Sequence, residues 1–227
     1  MKTTMPVDEL GEVREELRDV AARLLSRHAG ESDQGDLWAA ATTAGWLGLE
    51  VAEADGGAGV TFRESCVVLE QIGAVLGADD LAVAIALGVP ALAQLTGQEQ
   101  RRRLLAPVLA GECRPTVALC DRHGGFDHAQ LGVVAEDGRL TGIVPFVPAL
   151  ESADLVILPA TEGGTVAWFA VLAGGAGVER AAHPAVDRTR TLGELRLADA
   201  TAERLTGVPD GEAVYRWLLQ RGALAAA

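Results

Sequence analysis

Near Pro115 the hydrophobic period of this chain changes, and that change excludes most fold classes at once. Upstream, apolar residues recur at three- and four-residue spacing. Leu10, Val13, Leu17, Val20 and Leu24 form one stripe, with Glu12, Arg14, Glu15 and Arg18 on the opposite side, which predicts an amphipathic helix. A second helix is predicted from about Asp36. A third follows a capping box at Thr61–Glu64 and points Cys66, Leu69, Ile72 and Leu76 inward. Two more fit 80–95 and 98–110, the last ending at Gly111. Downstream of Pro115 the segments TVALC, QLGVVAE, RLTGIVPFV, DLVILPA, TVAWFAVLA and TLGELRLA are short, β-rich and separated by turn residues. Asp137-Gly138 between two of them is a two-residue hairpin signal. Strands at this spacing predict a small antiparallel barrel or sandwich. After Gly207–Asp210 the helical period returns, with Val214, Trp217, Leu218 and Leu224 facing inward. The predicted class is therefore α+β: an all-α N-terminal domain (1–112), a small antiparallel β-barrel domain (113–207) and a terminal helix (208–227).

Composition narrows the function. A formal net charge of −13 opposes a nucleic-acid partner, which needs a basic face. An anionic small molecule remains compatible if arginines cluster locally, at Arg101-Arg102-Arg103 or at Arg188 and Arg190, although the first run also reads as a solvated helix face. Cys66, Cys113 and Cys120 are odd in number and form no CxxC pair, which suits reduced thiols in the cytoplasm. The N-terminal MKTTMPVDELGEV shows no apolar secretory core. The apolar run at 81–95 is too short for a bilayer and is broken by Gly88 and Pro90. The expectation is a cytoplasmic protein with no membrane contact.

Residues 120–128, CDRHGGFDH, gather a thiol, carboxylates, imidazoles and a Gly-Gly pair. A metal site is disfavoured because His123 and His128 lack paired-ligand spacing and no second cluster accompanies them. A Cys120 nucleophile is disfavoured because the neighbouring Asp121 opposes thiolate formation. The third reading is a loop leaving a strand, in which Gly124 and Gly125 let backbone approach a ligand.

Several stretches, in order, resemble the acyl-CoA dehydrogenase family. GWLGLEVAEADGGAG is similar to its GLLGLxVPEEYGGxG loop, and GQEQRRRLLAPVLAGE to its GxxEQKxxxLPxLxxGE helix. VALCDRHGGFD falls on the ALTEPGAGSD flavin loop, and GRLTGIVPFVPALESADLVILPA on GxLNGxKxWITNxxxADxxxVxA. DRTRTLGELRLADATAERL resembles the strand closing the family's middle domain. The resemblance implies FAD as cofactor, a thioester of CoA or acyl-carrier protein as substrate, and α,β-dehydrogenation as the reaction. It places Leu119, Cys120, Gly125, Phe126, Phe146, Val147 and Pro148 beside the flavin. The family's catalytic Glu lies in a C-terminal domain of which residues 208–227 match only the first helix, so no catalytic residue and no metal ligand is assigned. The isolated chain is expected to be inactive in α,β-dehydrogenation and to form a homo-oligomer or a hetero-oligomer with a full-length homologue; the alternatives are a non-catalytic partner subunit of a heteromeric acyl-CoA dehydrogenase and a non-redox acyl-thioester-binding protein. The sequence also departs from the family pattern. Cys120 and Pro148 stand where threonines donate to the flavin, and Phe126 stands where a serine does, while Phe146 keeps the aromatic. A buried polar edge left without partners costs roughly 1–3 kcal/mol per group, so weakened flavin binding is expected.

Overall fold

A computed structural model of the protein describes residues 7–28, 34–75, 79–187, 190–207 and 210–227. The expected placements of Leu76 and Arg188, and of the Leu10 side chain, lie outside the described residues.

Helix α1 (Val7–His28) packs on α3 (Phe62–Ala74), and Leu17 and Leu24 of the predicted stripe lie against the helical core, but Ala21 and Leu25 are its fully buried residues and Val13 is exposed. Helix α2 (Gln34–Thr43) and two short 3-10 turns lead to α3. There the capping box forms: Arg63 N–H donates to Thr61 Oγ1, and Thr61 N–H donates to the Glu64 carboxylate at 3.0 Å. The stretch predicted as one helix over 80–95 is α4 (Asp79–Val83), a π turn (Ala84–Gly88) and α5 (Val89–Leu95). The π turn carries Gly88 so close to the first strand that a Cβ there would sit 2.8 Å from Pro115. Helix α6 (Gln98–Leu109) completes the helical layer. No helix among the described residues is long and apolar enough to cross a membrane.

Strands β1 (Pro115–Val117), β2 (Val133–Glu136), β3 (Arg139–Pro148), β4 (Leu155–Glu162), β5 (Thr165–Leu172), β6 (Val178–His183), β7 (Leu192–Thr201) and β8 (Glu203–Arg204) form one curled sheet, ordered β6-β7-β3-β2-β4-β5-β8, with β1 beside β4. The fold is α+β as predicted, and the sheet is a mostly antiparallel half-barrel. Asp137 (φ 48°) and Gly138 (φ 75°) turn the β2–β3 hairpin in the left-handed region that a two-residue turn requires. Two details differ from the sequence reading. β1 and β2 each pair with β4 in parallel, and the sheet stays open between β6 and β8. Strand β6 escaped prediction because it is exposed along most of its length, so burial imposes no alternation on its sequence.

The sheet has two buried faces. Leu155 and Ile157 of β4 join the helical core together with Val117 and Leu119. Val156 and Leu158 point the other way, into the concave interior with Val133, Leu140 and Phe169. Burial on both sides explains why β4 reads as a continuous apolar run, as strands covered on both faces do. Helix α7 (Gly211–Ala225) returns to the helical layer with Val214, Tyr215, Leu218 and Arg221 buried. Trp217 and Leu224, expected inward, are 37% and 65% exposed. The helix is rotated because Tyr215 and Arg221 are anchored below it.

Candidate functional site

Three elements meet at the mouth of the sheet: the loop after β1, the far end of β3, and α7. The loop is organised by Asp121, whose buried carboxylate accepts N–H groups from His123 (2.8 Å), Gly125 (3.0 Å) and Asp127 (3.0 Å). These bonds, that from Asp127 foremost, hold its carboxyl below the usual carboxylate range. A Cβ on Gly125 would lie 2.8 Å from the same carboxylate, so the turn needs glycine there. Asp121 is the residue that sequence reasoning missed. An aspartate followed by backbone donors and a Gly-Gly pair is the signal that it was a clamp and not merely a neighbour of the thiol.

The imidazoles diverge. His123 is exposed and accepts from Arg122 Nε at 3.2 Å, whereas His128 lies edge-on to Tyr215 at 5.9 Å and 3.8 Å from the Glu212 carboxylate. The Cys120 thiol points into the concave core, where burial and then the Asp121 charge push it to about 11. Tyr215 donates to the Leu119 carbonyl at 2.8 Å and so ties α7 to the root of the loop. Burial, with Asp121 next, raises its phenol above the usual range.

At the far end of β3 the ladder to β7 slips between Val144 and Val147, and Phe146 takes a left-handed backbone (φ 53°). Its ring is 47% exposed, stands 5.1 Å from that of His183, and covers Gly124 so tightly that a Cβ there would be 2.7 Å away. Phe126, on the loop, is 60% exposed. Of the seven residues predicted beside a ligand, Phe126 and Phe146 therefore present surface, Gly125 lies in the clamped loop, and Leu119, Cys120 and Val147 bury their side chains. Pro148 accepts the Thr116 hydroxyl on its carbonyl (2.5 Å) and lines a cavity of about 340 Å³. That cavity lies between α3, α4, the π turn and the end of α7. Its walls are mostly apolar, and Asp79 and Arg190 also line it. Asp79 accepts from Thr191 N–H at 2.9 Å, and its burial raises its carboxyl. Helix α7 is held over the helical layer by Arg221, which donates to the Ala86 carbonyl of the π turn, pairs with Glu50 and lies 3.8 Å over the Phe62 ring. Arg101 is no solvated face residue: it pairs with Asp55 at 2.8 Å and caps the Ala93 and Thr96 carbonyls.

The family model described as "Acyl-CoA dehydrogenase, N-terminal domain" matches residues 8–112. A solved variant of the Tcur3481-Tcur3483 steroid ACAD superposes with a TM-score of 0.76 at 30% identity, covering 95% of this chain and 62% of that one. The chain is a member of the acyl-CoA dehydrogenase family. The Mycobacterium leprae protein named "Probable acyl-CoA dehydrogenase fadE25" is 28% identical over 177 residues, covering 73% of this chain and 42% of the relative. In the ChsE4-ChsE5 complex from Mycobacterium tuberculosis, a matching chain gives a TM-score of 0.79 at 25% identity, covering 99% of this chain and 63% of that one. The chain thus spans under two thirds of the length of these relatives.

Acyl-CoA dehydrogenase homologues are FAD-dependent. The residues present here do not fit the polar edge of a flavin ring. Phe126 and Phe146 offer flat apolar surface, Pro148 has no N–H, the Cys120 thiol is turned into the core, and Asp121 consumes the loop donors at His123, Gly125 and Asp127.

Proposed function

We propose that this acyl-CoA dehydrogenase-family chain serves as one subunit of a heteromeric dehydrogenase. In that role it supplies an acyl-thioester cavity and an aromatic wall, while a partner supplies most hydrogen bonds to FAD. The observation that carries the reading is the donor-poor surface at Phe126, Phe146 and Pro148, whose nearest loop donors are spent on Asp121. Two similar structures bear paired protein names, Tcur3481-Tcur3483 and ChsE4-ChsE5, which favours a hetero-oligomer over a homo-oligomer. The family reaction is FAD-linked α,β-dehydrogenation of a CoA thioester, and we assign no step of it to a residue of this chain. The cavity of about 340 Å³ falls at the lower end of the roughly 300–1,000 Å³ usual for small-molecule sites and suits the acyl portion. We retain unit boundaries at 112/113 and 207/208 and a cytoplasmic setting as parts of this proposal.

The test is to purify the chain alone and after co-expression with a longer family member. Flavin content is read from the visible absorption band, and turnover of acyl-CoA with an artificial electron acceptor. The expected result is little flavin and no turnover alone, and both in a stable complex. Stoichiometric flavin with turnover by the chain alone would establish instead a self-sufficient enzyme.

A further inference from the structure

We propose that Pro90 and Arg221 make a latch that holds the C-terminal half of α7 shut over the helical layer, and that this half is a strap able to lift while the rest of the chain stays folded. In an α-helix the Ala86 carbonyl would accept the N–H of residue 90. That residue is proline, which has no N–H and whose ring crowds the carbonyl four residues back. The helix widens in response: Val89 N–H donates five residues back, to the Ala84 carbonyl, and Ala84–Gly88 becomes the π turn. The Ala86 carbonyl is left without its helical partner in a buried place, where an unpaired acceptor is costly. Arg221, only 5% exposed, supplies the missing donor through Nε. The acceptor that docks the end of α7 therefore exists because position 90 is proline.

The two halves of α7 are fastened separately. The N-terminal half is tied to the sheet region by Tyr215 on the Leu119 carbonyl and by Trp168 Nε1 on the Gly211 carbonyl, at 2.8 Å and 2.9 Å. Beyond Leu218, Arg221 is the one buried residue of the helix. Leu219, Gly222 and Ala225 are half-buried there, and Ala223 and Leu224 are exposed. Few apolar contacts oppose local opening of that half, so a single buried polar anchor decides whether it stays down. Its end forms one wall of the 340 Å³ cavity, and Ala86 and Leu87 of the π turn form another. Lifting the strap opens the cavity, whatever ligand the cavity takes. Local propensity alone favours alanine over proline at position 90, so it gives no reason for α7 to depend on that residue. The latch does.

The test is a double-mutant cycle on the full chain, read by amide exchange over 217–225 and by native-state alkylation of Cys66, which lies on α3 near Arg221 and Glu50. With proline at 90, Arg221→Ala should raise both rates at least about tenfold, the scale of a lost hydrogen bond to a charged group. In the Pro90→Ala background the same substitution should raise them by no more than about threefold, because the new N–H can satisfy the Ala86 carbonyl. Exchange in α1 and β7 should stay near wild type throughout. Glu50→Gln weakens the ion pair but spares the Nε bond, and should loosen 217–225 by less than about threefold. This comparison with Arg221→Ala keeps proline in place, so it decides the matter if Pro90→Ala does not fold. An equal effect of Arg221→Ala in both backgrounds would overturn the latch, as would no effect in either. Loosening by Glu50→Gln as large as that by Arg221→Ala would assign the anchor to the ion pair and overturn the role of the Ala86 carbonyl. Faster exchange spread over α1 and β7 as well would show global destabilisation and no strap.

Discussion

Asp121 decides the character of the loop more than either histidine does. Its carboxylate replaces water for three backbone donors, so the loop is rigid only while that group is ionised. The folded pKa is lowered, so its contribution to stability is complete above the unfolded value of about 3.9 and is lost as pH falls through the lower folded value. Asp121→Asn puts a donor where an acceptor is needed, and the His123, Gly125 and Asp127 amides should then exchange faster at neutral pH. Unchanged protection of those amides would remove the clamp from the account. The thiols give a second prediction at this scale. Burial pushes Cys113 and Cys120 to about 11 and raises Cys66, so native protein at neutral pH should be alkylated far more slowly than unfolded protein. Rapid labelling of Cys120 in the native state would contradict its place in the core. The sequence showed that the loop lacks metal-ligand spacing, but it could not show that the donors around Gly125 turn inward. That depends on one carboxylate reaching across six residues.

Helix α7 shows why an element can be legible while its orientation is not. Its span follows from period and from the Asp210 cap, whose side chain accepts from Ala213 N–H. Hydrophobicity alone favours Trp217 and Leu224 over Tyr215 and Arg221 for the inward face. Yet Val214, Leu218 and Arg221 stand at four- and three-residue spacing, and an arginine within an apolar stripe signals a buried partner. The chain's single tyrosine lies one residue along and finds the Leu119 carbonyl. Similarly, the Asp137-Gly138 hairpin was legible because turn chemistry is local, whereas the parallel register of β1 on β4 is set by chain segments forty residues apart. Arg221→Ala should destabilise the protein by roughly 2–3 kcal/mol in urea unfolding. The figure is set below the roughly 3–5 kcal/mol of a fully buried pair because Glu50 keeps some solvent contact. Tyr215→Phe should cost roughly 1–3 kcal/mol by leaving the Leu119 carbonyl unpaired. A change under about 0.5 kcal/mol, the range of ordinary surface substitutions, would show that these anchors do not hold α7.

At the scale of the molecule, the period change at Pro115 marks a change of secondary structure without marking a break in the core. Val117, Leu119, Leu155, Ile157, Trp168 and Leu205 of the sheet region pack in the same cluster as Leu25, Trp46, Leu92 and Leu105 of the helices. Arg114, at the junction, is fastened from both sides. Its guanidinium lies 5.1 Å over Trp38 and 3.5 Å from the Asp80 carboxylate, while its own N–H donates to the Asp154 carboxylate at 2.9 Å. Farther along, Gly207 N–H donates to the Leu95 carbonyl at 2.7 Å, and Thr206 N–H to Gln100 at 3.0 Å. Melting the helical layer would therefore strip one face of the sheet, and melting the sheet would uncover the helices. Each loss exposes apolar surface worth roughly 25 cal/mol per Å², too much for either layer to survive alone with native stability. Thermal unfolding should accordingly be a single transition, with far-UV and near-UV circular dichroism giving coincident midpoints. A fragment ending at residue 112 should bind hydrophobic dyes and lack a cooperative melt. Two resolved transitions in the intact chain, with the helical signal lost first, would show that the layers are independent and that the shared cluster does not couple them.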